Sequence, residues 1–142
     1  MFVFDPIKGI DTDKPAFIYG DTLNEQTSLQ LKGDYDKKNH GFSGWLMIGD
    51  HIKLEHVLIT SGFSLISYVG KERTEVGQVF FDYKTARISF EVTDPELYKR
   101  ITSKSYDGVS KLIISSPASN AEEAKRVKDE LVRIDSEELL SH

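Results

Sequence analysis

The alternation of apolar and polar residues between Ile52 and Val92 constrains this chain more than any other feature. Four strand-like runs cover residues 52–60, 63–69, 74–83 and 86–92, separated by Ser61-Gly62, Gly70-Lys71-Glu72-Arg73 and Lys84-Thr85. Short runs of period two between turn residues spell an antiparallel meander. Its last register can be tested against the sequence. With Tyr83 opposite Ala86, Phe81 opposes Ile88, Val79 opposes Phe90 and Gly77 opposes Val92, so one face is wholly apolar or glycine. The other face pairs Asp82 with Arg87, Phe80 with Ser89 and Gln78 with Glu91. A slip of one residue would mix the two faces, so the pattern selects this register.

A two-residue turn at Ser61-Gly62 sets the first hairpin. Thr60 then opposes Phe63, Val57 opposes Ile66, Leu58 opposes Leu65 and Leu54 opposes Val69. The expected core is therefore Val57, Ile59, Ile66, Val79, Phe81, Ile88, Phe90 and Val92. The reverse face carries Leu54, Leu58, Phe63, Leu65, Val69 and Phe80. A sheet with one wet side alternates more cleanly than this. The early strands thus need cover on both sides, from helices, from N-terminal strands or from a partner subunit.

Flanking segments complete the outline. Phe2-Val3-Phe4 and Ala16-Phe17-Ile18-Tyr19 look like short strands, and residues 28–32 like a half-buried one. The polar stretch 34–44 reads as an exposed loop. Asp94-Pro95-Glu96 supplies an N-cap, a proline at the first helical position and an acidic first turn. It predicts a short helix near 95–104 with Leu97, Tyr98 and Ile101 inward. Residues 109–115 read as a further strand. Ser119-Asn120-Ala121-Glu122 is a capping box, and Ala121, Ala124, Val127, Leu131 and Ile134 follow at helical spacing. Together they predict a C-terminal amphipathic helix near 119–134. Glu122 with Arg126 and Asp129 with Arg133 are favourable pairs on its wet face. Leu139 and Leu140 extend the apolar stripe or form a separate turn.

The expected class is α+β, a mainly antiparallel curled sheet of six or more strands closed by a helix. This element order is similar to that of the PH-like superfold, and equally to a partly open barrel with a helical plug. The similarity is one of element order alone, and fold does not give function.

A chain of 142 residues, 39% hydrophobic and 29% charged, is the size and composition of one domain with a real core. Its net charge of −5 argues against nonspecific binding to nucleic acid or anionic membrane. The absence of cysteine removes disulfides, thiol nucleophiles and Cys-ligated metal centres. The most apolar stretch, residues 57–69, is interrupted by polar residues and too short for a membrane span. The first residues lack a basic segment followed by an apolar one, so no signal peptide is read and a cytoplasmic location is expected.

No cofactor or metal is expected. His51 and His56 stand at odd spacing on one strand and so face opposite ways. His56, beside Ser67 on the reverse face, is either a buried acid–base group or, more plainly, a hydrogen-bonded histidine near the sheet rim. Asp5, Asp11 and Asp13, and likewise Asp34 and Asp36, sit in oxygen-rich segments that lack the spacing of a calcium loop. No nucleophile elbow or glycine-rich phosphate loop is present. Lys71 and Arg73 share one loop where a small anionic ligand could bind, although Glu72 and Glu75 dilute the charge. Trp45, the sole tryptophan, lies between glycines in an apolar run and is expected in the core, the alternative being an exposed stacking platform.

Three functions compete. The first is a noncatalytic protein-interaction module (inhibitor, immunity factor, adaptor or assembly subunit) that uses the apolar reverse face to bind a protein partner or a second copy of itself. The second is a small-ligand binding or sequestering protein, with the ligand oriented by His56, Ser67, Tyr68 and Arg73. The third is an enzyme of unrecognised chemistry. The candidate binding residues are Trp45, His56, Leu58, Phe63, Leu65, Tyr68, Lys71 and Arg73.

Overall fold

Alternating apolar residues turn inward around a closed barrel. The computed structural model describes residues 5–60 and 63–140. Its elements are β1 (Ile7–Gly20), β2 (Glu25–Asp36), β3 (Gly41–Ile48), β4 (Ile52–Ile59), β5 (Ser64–Val69), β6 (Glu72–Asp82), β7 (Arg87–Glu91), α1 (Pro95–Thr102), β8 (Leu112–Ser116) and α2 (Ala121–Leu140). Each strand pairs with its neighbour in sequence, and β8 returns to β1 through Phe17–Ser115 to Gly20–Leu112. The expected curled antiparallel sheet thus closes on itself as eight strands.

The β6–β7 ladder has the register that alternation selected, with Val79 opposite Phe90, Phe80 opposite Ser89, Phe81 opposite Ile88 and Asp82 opposite Arg87. Phe42, Leu46, Leu65, Val79, Ile88, Phe90, Leu112 and Ile114 are all buried within the core. An eight-stranded barrel is just wide enough for such side chains to fill it.

Two β-bulges alter the expected faces. On β4, Val57 faces Gly44 and Leu54 faces Leu46, so Glu55 and His56 together oppose Trp45. The extra residue resets the alternation. Leu54 and Val57 therefore both join the core, and Leu54 leaves the reverse face. On β6, Leu65 faces Gly77 and Ile66 faces Glu75, so Val76 is the extra residue and is buried.

Between the bulges the β4–β5 register is one residue from expectation. Val57 faces Ser67, Leu58 faces Ile66 and Ile59 faces Leu65. Leu65 therefore points inward, while Ile66 joins Leu58 on the outer face. Phe63 explains the slip: it adopts a left-handed φ of 63° and belongs to the connection, where its N–H donates to the Thr60 carbonyl. The Ser61-Gly62 turn itself lies outside the described residues. Val69 is 75% exposed and belongs to no apolar face. The reverse face is reduced to Leu58, Phe63, Ile66 and Phe80, with the Phe63 and Phe80 rings 5.8 Å apart.

β1 runs unbroken from Ile7 to Gly20 where only residues 16–19 were expected as strand, and the supposed loop 34–44 is mostly strand, with its turn at residues 37–40. Phe2-Val3-Phe4 lies outside the described residues. Gly33 faces Gly44 across β2 and β3. A Cβ on Gly44 would stand 2.1 Å from the Lys32 carbonyl oxygen, and one on Gly77 would stand 1.8 Å from that of Glu91. Glycine at these points lets neighbouring backbones approach as the sheet bends.

Asp94 caps α1 as expected, accepting the Leu97 N–H at 3.0 Å. Leu97 and Tyr98 join the barrel core, and the Tyr98 hydroxyl is hydrogen-bonded to that of Thr22. The cap of α2 falls one residue later than expected. Asn120 accepts the Glu123 N–H at 2.9 Å, while the Glu123 carboxylate accepts the Ser119 N–H at 2.8 Å. α2 packs across β1, β6, β7 and β8, burying Ala124, Val127 and Leu131. Arg87 pairs with Glu130, and the buried Ser89 and Ser115 hydroxyls meet at 2.9 Å. α2 runs beyond the expected residue 134; the side chains of Leu139 and Leu140 lie outside those described. No helix among the described residues is long and apolar enough to cross a membrane.

The loop before β8 carries a pH-sensitive turn. Asp107 accepts the Ser110 hydroxyl, the Ser110 N–H and the Val109 N–H at 2.7, 2.7 and 2.9 Å. These donors favour the carboxylate and hold its pKa down at about 2. Since folding lowers this pKa, the turn's contribution is full above the ordinary carboxylate range and is lost as pH falls toward 2. A carboxyl NMR titration is expected to give Asp107 a midpoint near 2, and the ordinary 3.8 would mean that the turn is not formed.

Candidate functional site

The β4 bulge turns Glu55 and His56 outward side by side, and both are exposed. Trp45 stands across from them on β3, with Lys32 of β2 on its other side. Tyr68 of β5 faces Arg73 of β6. The outer face of β3–β5 therefore carries an aromatic band between cationic residues. Ser43, Trp45, Glu55, His56, Leu58 and Tyr68 line an open concavity of about 490 Å³.

Two further hollows continue it. A cleft of about 290 Å³ shares Glu55, His56 and Tyr68 and adds Lys53, Ser67 and Arg100. At the other end, a hollow of about 440 Å³ shares Ser43 and Leu58 and adds Asp34, Asp36 and Thr60. The resulting trough follows β4 from Thr60 to Lys53.

Four expected binding residues, Trp45, His56, Leu58 and Tyr68, meet in the central concavity. Two of them differ in setting from the sequence reading. Trp45 is only partly buried and lies outside the core cluster. The Lys53 ammonium sits 4.7 Å above its ring, a contact worth about 0.5–1 kcal/mol at an exposed site. His56 is exposed, whereas Ser67 is buried opposite Val57, so the two do not form a buried acid–base pair. Arg73 flanks Tyr68, and Lys71 lies in the adjoining exposed turn. Phe63 packs with Phe80 away from the lining, and Leu65 is inside the barrel.

Glu55 and Arg100 line the trough together with Lys53 but escaped the sequence reading. The bulge that exposes Glu55 leaves no signature in the alternation, and Arg100 arrives only through the docking of α1. Lys53 is 3.9 Å from Glu55. Two of the aspartates have partners of their own: Asp13 accepts from the Gln30 amide. The Asn39 amide, together with the Asn39 and Lys38 N–H groups, holds the Asp36 carboxyl below its usual range. Among the described residues, no group of three or more His, Asp or Glu is placed to hold a metal ion. The trough offers ring faces, an imidazole and charged groups of both signs in an open, mostly apolar setting.

Comparison with protein-family models, curated proteins and solved structures yields no match to this chain.

Proposed function

We propose that the barrel is a noncatalytic protein-interaction module whose interface is the trough on β3–β5. One observation carries the reading: Trp45, His56, Leu58 and Tyr68, from three strands, share one open concavity. Partly exposed aromatic side chains grouped with an aliphatic one have the makeup of a binding hot spot. The partner is a protein, a second copy included. The ligand-sequestering alternative has less support, because Phe42, Leu46, Leu65 and Phe90 occupy the barrel interior and the trough is open. The net charge of −5 disfavours a nucleic-acid partner, and a cysteine-free chain suits a reducing cytoplasm.

The test is site-specific photo-crosslinking in cells, with p-benzoylphenylalanine replacing Tyr68 or, as a control, Glu122 on the exposed face of α2. A discrete protein adduct is expected from position 68 and not from position 122. Trp45→Ala is expected to weaken that association about 30-fold, as for a hot spot of about 2 kcal/mol. Equal labelling from both positions, or an adduct indifferent to Trp45→Ala, would overturn the reading.

A further inference from the structure

The β4–β5 ladder is short. It consists of Val57–Ser67, Leu58–Ile66 and Ile59–Leu65 and ends there. β4 continues to Ile52 on the β3 ladder, and β5 continues through Tyr68 and Val69 on the β6 ladder. Beyond Val57–Ser67, then, each strand remains paired on its far side while the two facing edges part. The 290 Å³ cleft occupies this split. Lys53, Glu55 and His56 line one side, Ser67 and Tyr68 the other, and Arg100 of α1 completes it.

We infer that this split takes the end of an extended, acidic peptide as a short added strand beside residues 53–56 of β4. The inference rests on the interaction reading above and gives the partner its chemistry. Parting edges present main-chain N–H and C=O groups, which an extended segment can match. The charge is complementary to an acidic chain. Lys53 and Arg100 line the cleft and Lys71 and Arg73 adjoin it, against Glu55 and Glu72, in a protein of net charge −5. Arg100 is exposed and has no carboxylate partner among the described residues. A guanidinium binds a carboxylate through two parallel hydrogen bonds, which fixes direction as well as charge.

The site also limits what it accepts. The bulge at Glu55–His56 and the charge on Lys53 prevent open-ended strand pairing. The cleft's 290 Å³ lies just below the roughly 300–1,000 Å³ range of ligand pockets. It suits the end of a chain, and the aromatic concavity beside it is left for the residues that follow.

The experiment is hydrogen–deuterium exchange on the full chain with two heptapeptide pools. Both pools alternate a charged residue with Val, Ile, Phe or Tyr; one carries Glu at the charged positions, the other Lys. The Glu pool is expected to slow exchange at residues 53–56 and 68–69, and the Lys pool is not. Arg100→Gln, at an exposed position, is expected to weaken the Glu pool about tenfold, and Arg133→Gln on α2 to leave it unchanged. A Glu pool with proline at every second position loses the main-chain donors on one side of the strand and is expected to lose the protection.

Equal protection by both charged pools would overturn the inference, as would retained protection with the proline pool or none with the Glu pool. If the Glu pool fails while the Tyr68 adduct forms and responds to Trp45→Ala, strand addition falls and the interaction module stands. If both fail, so do both readings.

Discussion

Gly77→Ala is expected to destabilise the barrel by about 3 kcal/mol or more. The new Cβ would lie 1.8 Å from the Glu91 carbonyl oxygen. That atom belongs to the backbone of β7 and cannot swing aside as a side chain would. Relief would require β6 and β7 to part next to Val79–Phe90, in the middle of the core. It would also disturb the Val76 carbonyl, which accepts the Thr93 N–H at 2.8 Å. Gly9→Ala is the control: nothing lies within 4 Å of its added Cβ, so its effect is expected to stay within about 0.5 kcal/mol. Urea denaturation at equal m-values compares the two. Coincident midpoints would rule out close approach at Gly77.

Leu65→Ala carries the second large effect, about 2–5 kcal/mol, as for a leucine wholly inside a packed core. Leu58→Ala, at a partly exposed outer position, is expected to cost less than about 1 kcal/mol. This contrast tests the register itself. With a two-residue turn at Ser61-Gly62, Leu58 and Leu65 would face each other on one side of the sheet and their losses would be alike. In the observed ladder Leu58 faces Ile66 and Leu65 faces inward. Equal losses, measured by the same denaturation, would sink the observed register.

These two positions mark where the sequence stops being legible. Alternation is a local signal of period two, and it holds where strands run unbroken. The β6–β7 register, the Asp94 cap and the apolar stripe of α2 could therefore be read directly. A bulge breaks the period by a single residue and leaves no motif behind. The one at Glu55–His56 sent Leu54 to the wrong face, and the left-handed Phe63 in the β4–β5 connection did the same for Leu65 and Ile66. Pro15, Gly9 and the flanking aspartates made β1 look like a loop, yet its long pairing with β2 holds it extended. The candidate site divided in the same way. Trp45, His56, Leu58 and Tyr68 are conspicuous residue types within strands. Arg100 enters through a helix remote in sequence, and only the folded chain brings it there.

The pairing of Phe17 with Ser115 has a consequence for how the protein is made. β1 leaves the ribosome before every other strand of the barrel, and β8 after all of them. Until Ser116 has emerged, the growing chain holds two unpaired sheet edges, on β1 and on β7. Closing so long a loop is slow compared with forming the hairpins between neighbouring strands. Vectorial synthesis can thus lay down the meander but not finish it, and a nascent chain halted before Leu112 would offer both edges to its neighbours on a polysome.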